Sequence, residues 1–333
     1  MPFKKYLVTG GTGFIGSNLV RRLIKEGHHV RVLDNDSRGN IDRLKDVSSD
    51  IEFITSDIRD AVKVESACRG IDSVFHLAFI NGTEFFYTKP DLVLDVGVKG
   101  MVNILDACIK NKINELYLAS SSEVYQLPPL VPTDETAPLS IPDPLNPRYS
   151  YGAGKIISEI MAINYGRKLF ERVVIFRPHN IYGPNMGWEH VIPQFILRMN
   201  KICRATNDHT IKFPIQGTGQ ETRAFCFIED FVDGLMILKD KGEHLGIYHI
   251  GTQEELTIEK VAKEIARYFN KNIQIVSGAL AKGGTPRRCP DISKMQTLGY
   301  QPKINFSHGA HLTAQWYDQN ADKAPEQNKI VSV

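Results

Sequence analysis

The sequence predicts an α/β fold: a doubly wound parallel sheet with a smaller mixed α/β C-terminal lobe. Three observations lead there. Short β-branched runs alternate with helical patterns through the first half, a glycine-rich turn separates the first strand from the first helix, and the rhythm loosens after about residue 180. Strands that alternate with helices pair in parallel, because a parallel neighbour requires a crossover. The 333 residues, 42% hydrophobic and 23% charged, describe an ordinary globular chain of about two domains.

Taken in order, Lys5 to Val8 forms the first strand and leads into the glycine turn, after which Ser17 to Glu26 has helical spacing that ends at Gly27. Further strands are expected at Val30–Leu33, Ile51–Ile54, Ser73–Leu77, Glu115–Ala119 and Arg172–Phe176. Helical stretches fall between them at Ala61–Arg69, Leu92–Lys110 and Tyr149–Leu169. Seven of the 17 prolines lie between Pro128 and Pro147, so that segment reads as an extended, ordered loop. A loop of that length inside a compact domain usually serves function. Residues 1–178 with about 223–250 are expected to form the cofactor domain, and about 179–222 with 251–318 the substrate domain. Residues 319–333 read as a polar tail.

Several function classes are disfavoured. The 40 basic and 38 acidic residues leave +2 with no block of like charge, which argues against a nucleic-acid partner. No apolar run approaches 18 residues and the opening MPFKKY lacks an apolar stretch, so no membrane association is expected and the location reads as cytoplasmic. Cys68, Cys108, Cys203, Cys226 and Cys289 are scattered and never spaced C-x-x-C, as reduced thiols are. No histidine has metal-ligand spacing, the adjacent pair Glu189-His190 included, so no metal is expected.

Two motifs carry chemistry. In Val8-Thr9-Gly10-Gly11-Thr12-Gly13-Phe14-Ile15-Gly16, Gly11, Gly13 and Gly16 satisfy G-x-G-x-x-G, while Gly10, Gly13 and Gly16 satisfy G-x-x-G-x-x-G. Glycine permits the tight turn, the backbone approach to a pyrophosphate and close helix–strand packing, and the helix N-terminus favours the anion. Asp34, 18 residues beyond Gly16, can bind ribose hydroxyls and repel a 2′-phosphate, so a Rossmann-type NAD site is expected. Arg38 pulls weakly towards NADP unless it is a solvated loop charge. The second motif is Tyr151-Gly152-Ala153-Gly154-Lys155, which puts a phenol and an ammonium on one helical face. A neighbouring cation lowers a tyrosine pKa towards that of a general base. Ser120, Ser121 and Ser122 close a predicted strand, where hydroxyls can bind a substrate alcohol or simply cap the strand end.

These residues, with Phe75-His76-Leu77-Ala78, Arg177-Pro178-His179-Asn180-Ile181-Tyr182-Gly183-Pro184 and Arg288-Cys289-Pro290-Asp291, resemble the extended short-chain dehydrogenase/reductases. Within them the sequence is similar to the NAD-dependent epimerase/dehydratase family acting on nucleotide sugars, over about residues 4 to 318. The resemblance implies Tyr151 as the base at the sugar 4-hydroxyl, Lys155 as its tuner and ribose ligand, Ser121 as the catalytic serine, and Glu123 as an acid or base at C5 or C6. It implies that Gly10, Gly13, Phe14, Ile15 and Gly16 hold the NAD pyrophosphate. Asp34, Asn35, Asp57 and Ile58 would hold the adenosine, and Leu77, Ala78 and Pro178, with Tyr151 and Lys155, the remainder. Ser122, His179, Asn180, Val191, Arg223 and Arg288 would hold a nucleotide-diphosphate sugar. A homodimer is implied as well, through the helices predicted at Leu92–Lys110 and Tyr149–Leu169.

The chain departs from the family pattern at several places. Gly97 replaces an asparagine, Phe79 a small residue, Gln126 a glycine, and His179 an apolar or small one. Glu123 is matched in dehydratases and decarboxylases, yet Ser122 stands at the aspartate of dehydratases and Asn185 at an arginine of decarboxylases. Family frequency makes an epimerase the leading expectation, with a 4,6-dehydratase or a UDP-glucuronate-type decarboxylase as alternatives. A non-enzymatic NAD-binding regulator is the reading from another class, and the retained Tyr151/Lys155 pair argues against it.

Overall fold

The structure is a computed structural model that describes residues 3–279 and 285–325. Its first part runs β1 Lys5–Thr9, α1 Phe14–Lys25, β2 His29–Asp34, β3 Ile51–Thr55, α2 Ala61–Ala67 and β4 Ser73–His76. It continues with α3 Thr83–Thr88, α4 Pro90–Leu94, α5 Gly100–Lys110, β5 Glu115–Ala119, α6 Ser150–Leu169 and β6 Arg172–Pro178. Then come β7 Ile181–Tyr182, α7 Val191–Ala205, β8 Thr210–Ile215, β9 Thr222–Ala224, β10 Cys226–Phe227 and α8 Ile228–Lys241. The remaining elements are β11 Gly246–Ile250, β12 Glu255–Thr257, α9 Ile258–Tyr268, β13 Asn272–Ser277, β14 Arg287–Arg288, α10 Ser293–Thr297 and α11 Phe306–Gln319.

Seven strands form one parallel sheet in the order β11-β6-β5-β4-β1-β2-β3. Side chains alternate between its faces, as a strand's period of two requires. Tyr6, Val8, Phe75, Tyr117 and Val174 enter the cluster on the α1 and α8 side, whereas Leu7, Val74, Leu116 and Val173 enter the one on the α2, α5 and α6 side. The first cluster runs on without a break into the lobe, through Phe195, Phe213, Ile265 and Tyr317. The lobe itself holds the parallel pair β8–β13 and the small sheet β12-β9-β14.

The helix expected at Leu92–Lys110 starts earlier, with Pro90 at its first position, and contains one widened π turn at Asp95–Lys99 between α4 and α5. Pro90 suits that first turn, where no backbone donor is needed. The loop between β5 and α6 is extended, as expected, and is hydrogen-bonded to the lobe: Thr133 N donates to Cys289 O (2.9 Å) and Asp291 N to Thr133 O (2.7 Å). Of the tail, residues 326–333 lie outside the described residues, and Ala321–Lys323 form a short 3-10 turn. No helix among the described residues is long and apolar enough to cross a membrane.

Candidate active site

The order of the sheet reverses at β1, which has β2 on one side and β4 on the other. In such sheets a crevice opens at the C-terminal strand ends. A cleft lies there, in two halves that share Gly10, Gly13, Arg38, Leu77 and Phe79. The turn after β1 admits only glycine at its closest approaches. A Cβ on Gly16 would sit 2.1 Å from Gly10 O, and one on Gly10, whose φ is +73°, would sit 2.8 Å from Ala78 N. Gly13 caps α1 without a side-chain acceptor, which leaves the first-turn donors for an anion. This cradle fits the pyrophosphate of NAD.

The half under β2 and β3 is lined by Asp34, Asn35, Asp57, Ile58, Leu77 and Ala78. Asp34 accepts from Thr12 N and Asp36 N, both at 3.0 Å, so it also fixes the glycine turn, and its carboxylate keeps lone pairs for a ribose. Asn35 donates to Asp57 (3.0 Å). A hydrogen bond from Arg59 holds the Asp57 carboxyl below its usual range. Both arginines that line this half are engaged: Arg59 with Asp57 and Asp95, Arg38 with Glu189 at 2.9 Å and over the Phe85 ring at 4.5 Å. Neither is left to favour a 2′-phosphate, which agrees with NAD over NADP.

The half under β5 and β6 is lined by Phe14, Ile15, Ser121, Ser122, Glu123, Tyr151, Lys155, Pro178, Asn180 and Arg288. Tyr151 and Lys155 stand one turn apart at the start of α6. Lys155 donates to Ala119 O at 2.6 Å, and burial pulls its ammonium down to about 7 against the opposing pull of Glu159. Ser121 hydrogen-bonds the Tyr151 hydroxyl and also caps the turn after β5 by accepting from Glu123 N (3.1 Å). The Ser120 hydroxyl donates to Glu159. One expectation is corrected here. Within the chain the Tyr151 phenol is raised by burial, with Ser121 only partly opposing, and the Lys155 Nζ lies 5.8 Å from the Tyr151 ring.

Glu123 is a carboxylate among arginines. Arg288 donates to it at 2.7 Å and Arg148 lies 3.7 Å away. Burial pushes its carboxyl up, but the charges of Arg288, Arg148 and Arg223 together outweigh this and hold it below its usual range. The short strand β14 explains why its two arginines differ. Successive residues face opposite ways, so Arg287 pairs outward with Glu255 while Arg288 turns inward.

Three residues expected at the substrate do not line the cleft. His179 is buried with both ring nitrogens unpartnered and packs on His249, with centroids 4.6 Å apart. Its neighbours Pro178 and Asn180 face the opening, so the side chain between them turns beneath it. Arg223 donates to the carbonyls of Thr222, Thr285 and Pro286. Val191 opens α7 and packs against the core. Conversely, the sequence reading missed Phe86, stacked on Tyr151 at 4.8 Å and 19°, and Arg148. Phe86 lies in the six-residue helix α3 and Arg148 in a single 3-10 turn, elements too short to carry a spacing signal. Phe79 was visible only as a departure from the pattern.

A profile described as the NAD dependent epimerase/dehydratase family matches residues 6–251. The chain is 30% identical over 329 residues to the UDP-N-acetyl-alpha-D-glucosaminuronate decarboxylase of Bacillus cytotoxicus, covering 94% of this chain and 98% of that one. The dTDP-glucose 4,6-dehydratase of Streptomyces venezuelae, solved with NAD bound, is 28% identical with a TM-score of 0.84, covering 97% and 99% of the two chains. The UDP-glucose 4-epimerase of Thermotoga maritima, solved with UDP-glucose, is 26% identical with a TM-score of 0.83, covering 95% and 99%.

Proposed function

As this chain belongs to the NAD-dependent epimerase/dehydratase family, we propose that it oxidises a nucleotide-linked hexuronate at C4 and releases carbon dioxide. That it is an NAD-dependent enzyme of the nucleotide-sugar epimerase, dehydratase and decarboxylase group follows from the family. The particular reaction is our reading. The single observation that carries it is Glu123 in the cleft, ion-paired to Arg288 and preceded by Ser122. A simple 4-epimerase has no use for a carboxylate there, and a dehydratase lacks in Ser122 the acid that expels the 6-hydroxyl. The Bacillus cytotoxicus relative, a uronate decarboxylase, supports the same choice.

NAD+, which the Gly10–Gly16 turn and Asp34 would hold, would supply the acceptor and later donor of the C4 hydride and a positive charge beside the phenol. Tyr151 takes the proton of the C4 hydroxyl, and Ser121 holds that oxygen. The C4 ketone makes the sugar a β-keto acid, whose C5–C6 bond breaks to release carbon dioxide and leave its electron pair on C5 and the C4 oxygen. C5 then takes a proton from a water molecule that the Glu123 carboxylate would hold and orient. Arg288 and Arg148 offer donors that a C6 carboxylate can share with Glu123, and Asn180 and Arg288 would meet the diphosphate. Residues 1–178 with about 223–250 would hold the cofactor and supply Ser121, Glu123 and Tyr151, and about 179–222 with 251–318 would hold the remainder of the nucleotide sugar.

Incubation with a panel of nucleotide sugars, read by product mass, tests this. Loss of carbon dioxide from a nucleotide hexuronate is expected. Unchanged mass with a changed retention time would instead establish the epimerase, the reading that Asn185 in place of the decarboxylases' arginine favours. Loss of water would establish a dehydratase. Glu123→Gln should lower decarboxylation by roughly 100-fold or more, the usual scale for a proton-transfer group, whereas it should spare an epimerase.

A further inference from the structure

We propose that Phe79 is a positioning residue for Lys155, its ring admitted by the missing side chain at Gly97. The Lys155 Nζ sits 4.0 Å from the centre of the Phe79 ring. The same ring meets Tyr151 edge-on, with centroids 5.1 Å apart and planes at 84°. A Cβ on Gly97 would fall 2.2 Å from Phe79 Cζ, and one on Gly154 3.0 Å from it. Gly97 and Phe79 are thus two halves of one arrangement: the large residue fits because the other has no side chain.

A buried ammonium loses its water and needs other partners. Here Lys155 has the Ala119 carbonyl on β5, the charge of Glu159 on α6, and the π face of Phe79 from the loop after β4. The other titratable groups facing it are Tyr151, whose ring centre is 5.8 Å away, and His76 on β4, kept neutral by burial. A desolvated cation over an aromatic face is held more strongly than an exposed one. The ring therefore favours the charged form in the pH range where burial threatens it. Lys155 would present that charge to the cofactor ribose beside Tyr151. The inference rests on Tyr151 and Lys155 acting at the sugar and holds whichever reaction the C4 ketone then undergoes.

The test reads Lys155 directly. The protein is produced with lysine carrying a 13C label at Cε, and the Lys155 Cε shift, assigned by the loss of its signal in Lys155→Arg, is followed by NMR between pH 5.5 and 9. Phe79→Leu keeps apolar bulk and removes the π face. Its Lys155 titration should move down by about one pH unit, on the order of 10-fold in ammonium stability. The alkaline limb of kcat should move with it while KM stays within about 2-fold of wild type. Gly97→Ala displaces the ring and should shift the titration in the same direction, adding little in the Phe79→Leu background because the two act through one contact. Superimposed titrations for wild type and Phe79→Leu would overturn the proposal, leaving Phe79 as filling. Should Phe79→Leu not fold, an unshifted Gly97→Ala would overturn it equally. If no nucleotide sugar is turned over, the NMR titration still reads Lys155, so the two failures are separable.

Discussion

The Arg288 guanidinium reaches the Glu123 carboxylate at 2.7 Å across 165 residues of chain. One partner lies just after the fifth strand of the sheet, and the other sits on a two-residue strand of the lobe. The proline-rich loop joins them: Thr285 Oγ1 donates to Gln126 O (3.1 Å), Arg287 to Val131 O (3.0 Å), and Thr133 pairs with Pro290. The ion pair therefore depends on the lobe being seated. Its electrostatic effect on Glu123 is a tertiary property.

Tyr151→Phe should abolish sugar oxidation and leave NAD bound. The phenol is the group in the cleft suited to take the C4 proton, and a general base is worth roughly 100- to 10,000-fold in rate. Ser121→Ala should lose less, because Tyr151 remains. Turnover of the nucleotide sugar that wild type accepts gives the rate, and assay of NAD(H) in the supernatant of denatured protein gives the cofactor. More than a tenth of wild-type turnover in Tyr151→Phe would rule it out as the base.

Arg177→Met should destabilise the fold. The guanidinium, 2% exposed, binds both oxygens of Glu159 (Nε at 2.8 Å, Nη2 at 2.6 Å) and also Tyr125. Removing one partner strands a buried carboxylate, which typically costs about 3–5 kcal/mol. The urea midpoint should fall accordingly. The double variant Arg177→Met with Glu159→Met, which strands no charge, should recover a substantial part of the loss.

Stability should fall as pH drops below neutrality. Burial lowers five imidazoles: His76 to about 3, His249 to about 4, His179 well below its ordinary value, and His28 and His190 as well. The unfolded chain protonates these residues near pH 6.5, so between there and about pH 4 it binds more protons than the folded chain. Each histidine then removes up to about 1.4 kcal/mol per pH unit, stability being fully present only above pH 6.5. Urea midpoints at pH 7.5, 6.5 and 5.5 should show the decline. His249→Gln should lower stability at pH 7.5 but flatten the slope. An unchanged slope would show that His249 is not a source of it.

A homodimer is proposed through α5 and α6. Helix α6 buries Tyr151, Lys155 and Ala162 on one side yet exposes Ile157, Ile160 and Leu169 on others, which leaves apolar surface for a partner. Sedimentation should give a dimer at micromolar concentration, and Ile160→Asp should give a monomer. A monomeric wild type would overturn this.

The local patterns of the sequence settled the parallel sheet, the glycine cradle, Asp34 at a strand end and the Tyr151/Lys155 pair. Each depends on spacing along a single element, which periodicity and turn chemistry record. Other features had no such record. The strand Gly246–Ile250, expected in the cofactor domain but not as a strand, completes the sheet by pairing with Arg172–Pro178. His179 lies between two residues that face the cleft, and only the seat beneath it, against His249, decided that its ring would turn inward. Gly97 and Phe79 stood in the sequence as two separate oddities, 18 positions apart. Tertiary structure made them one, because a ring needs the volume that a missing side chain elsewhere leaves. Charge obeyed the same rule: Glu123 is an ordinary carboxylate by composition, and its ionisation was decided by arginines that arrive from distant segments once the chain has folded.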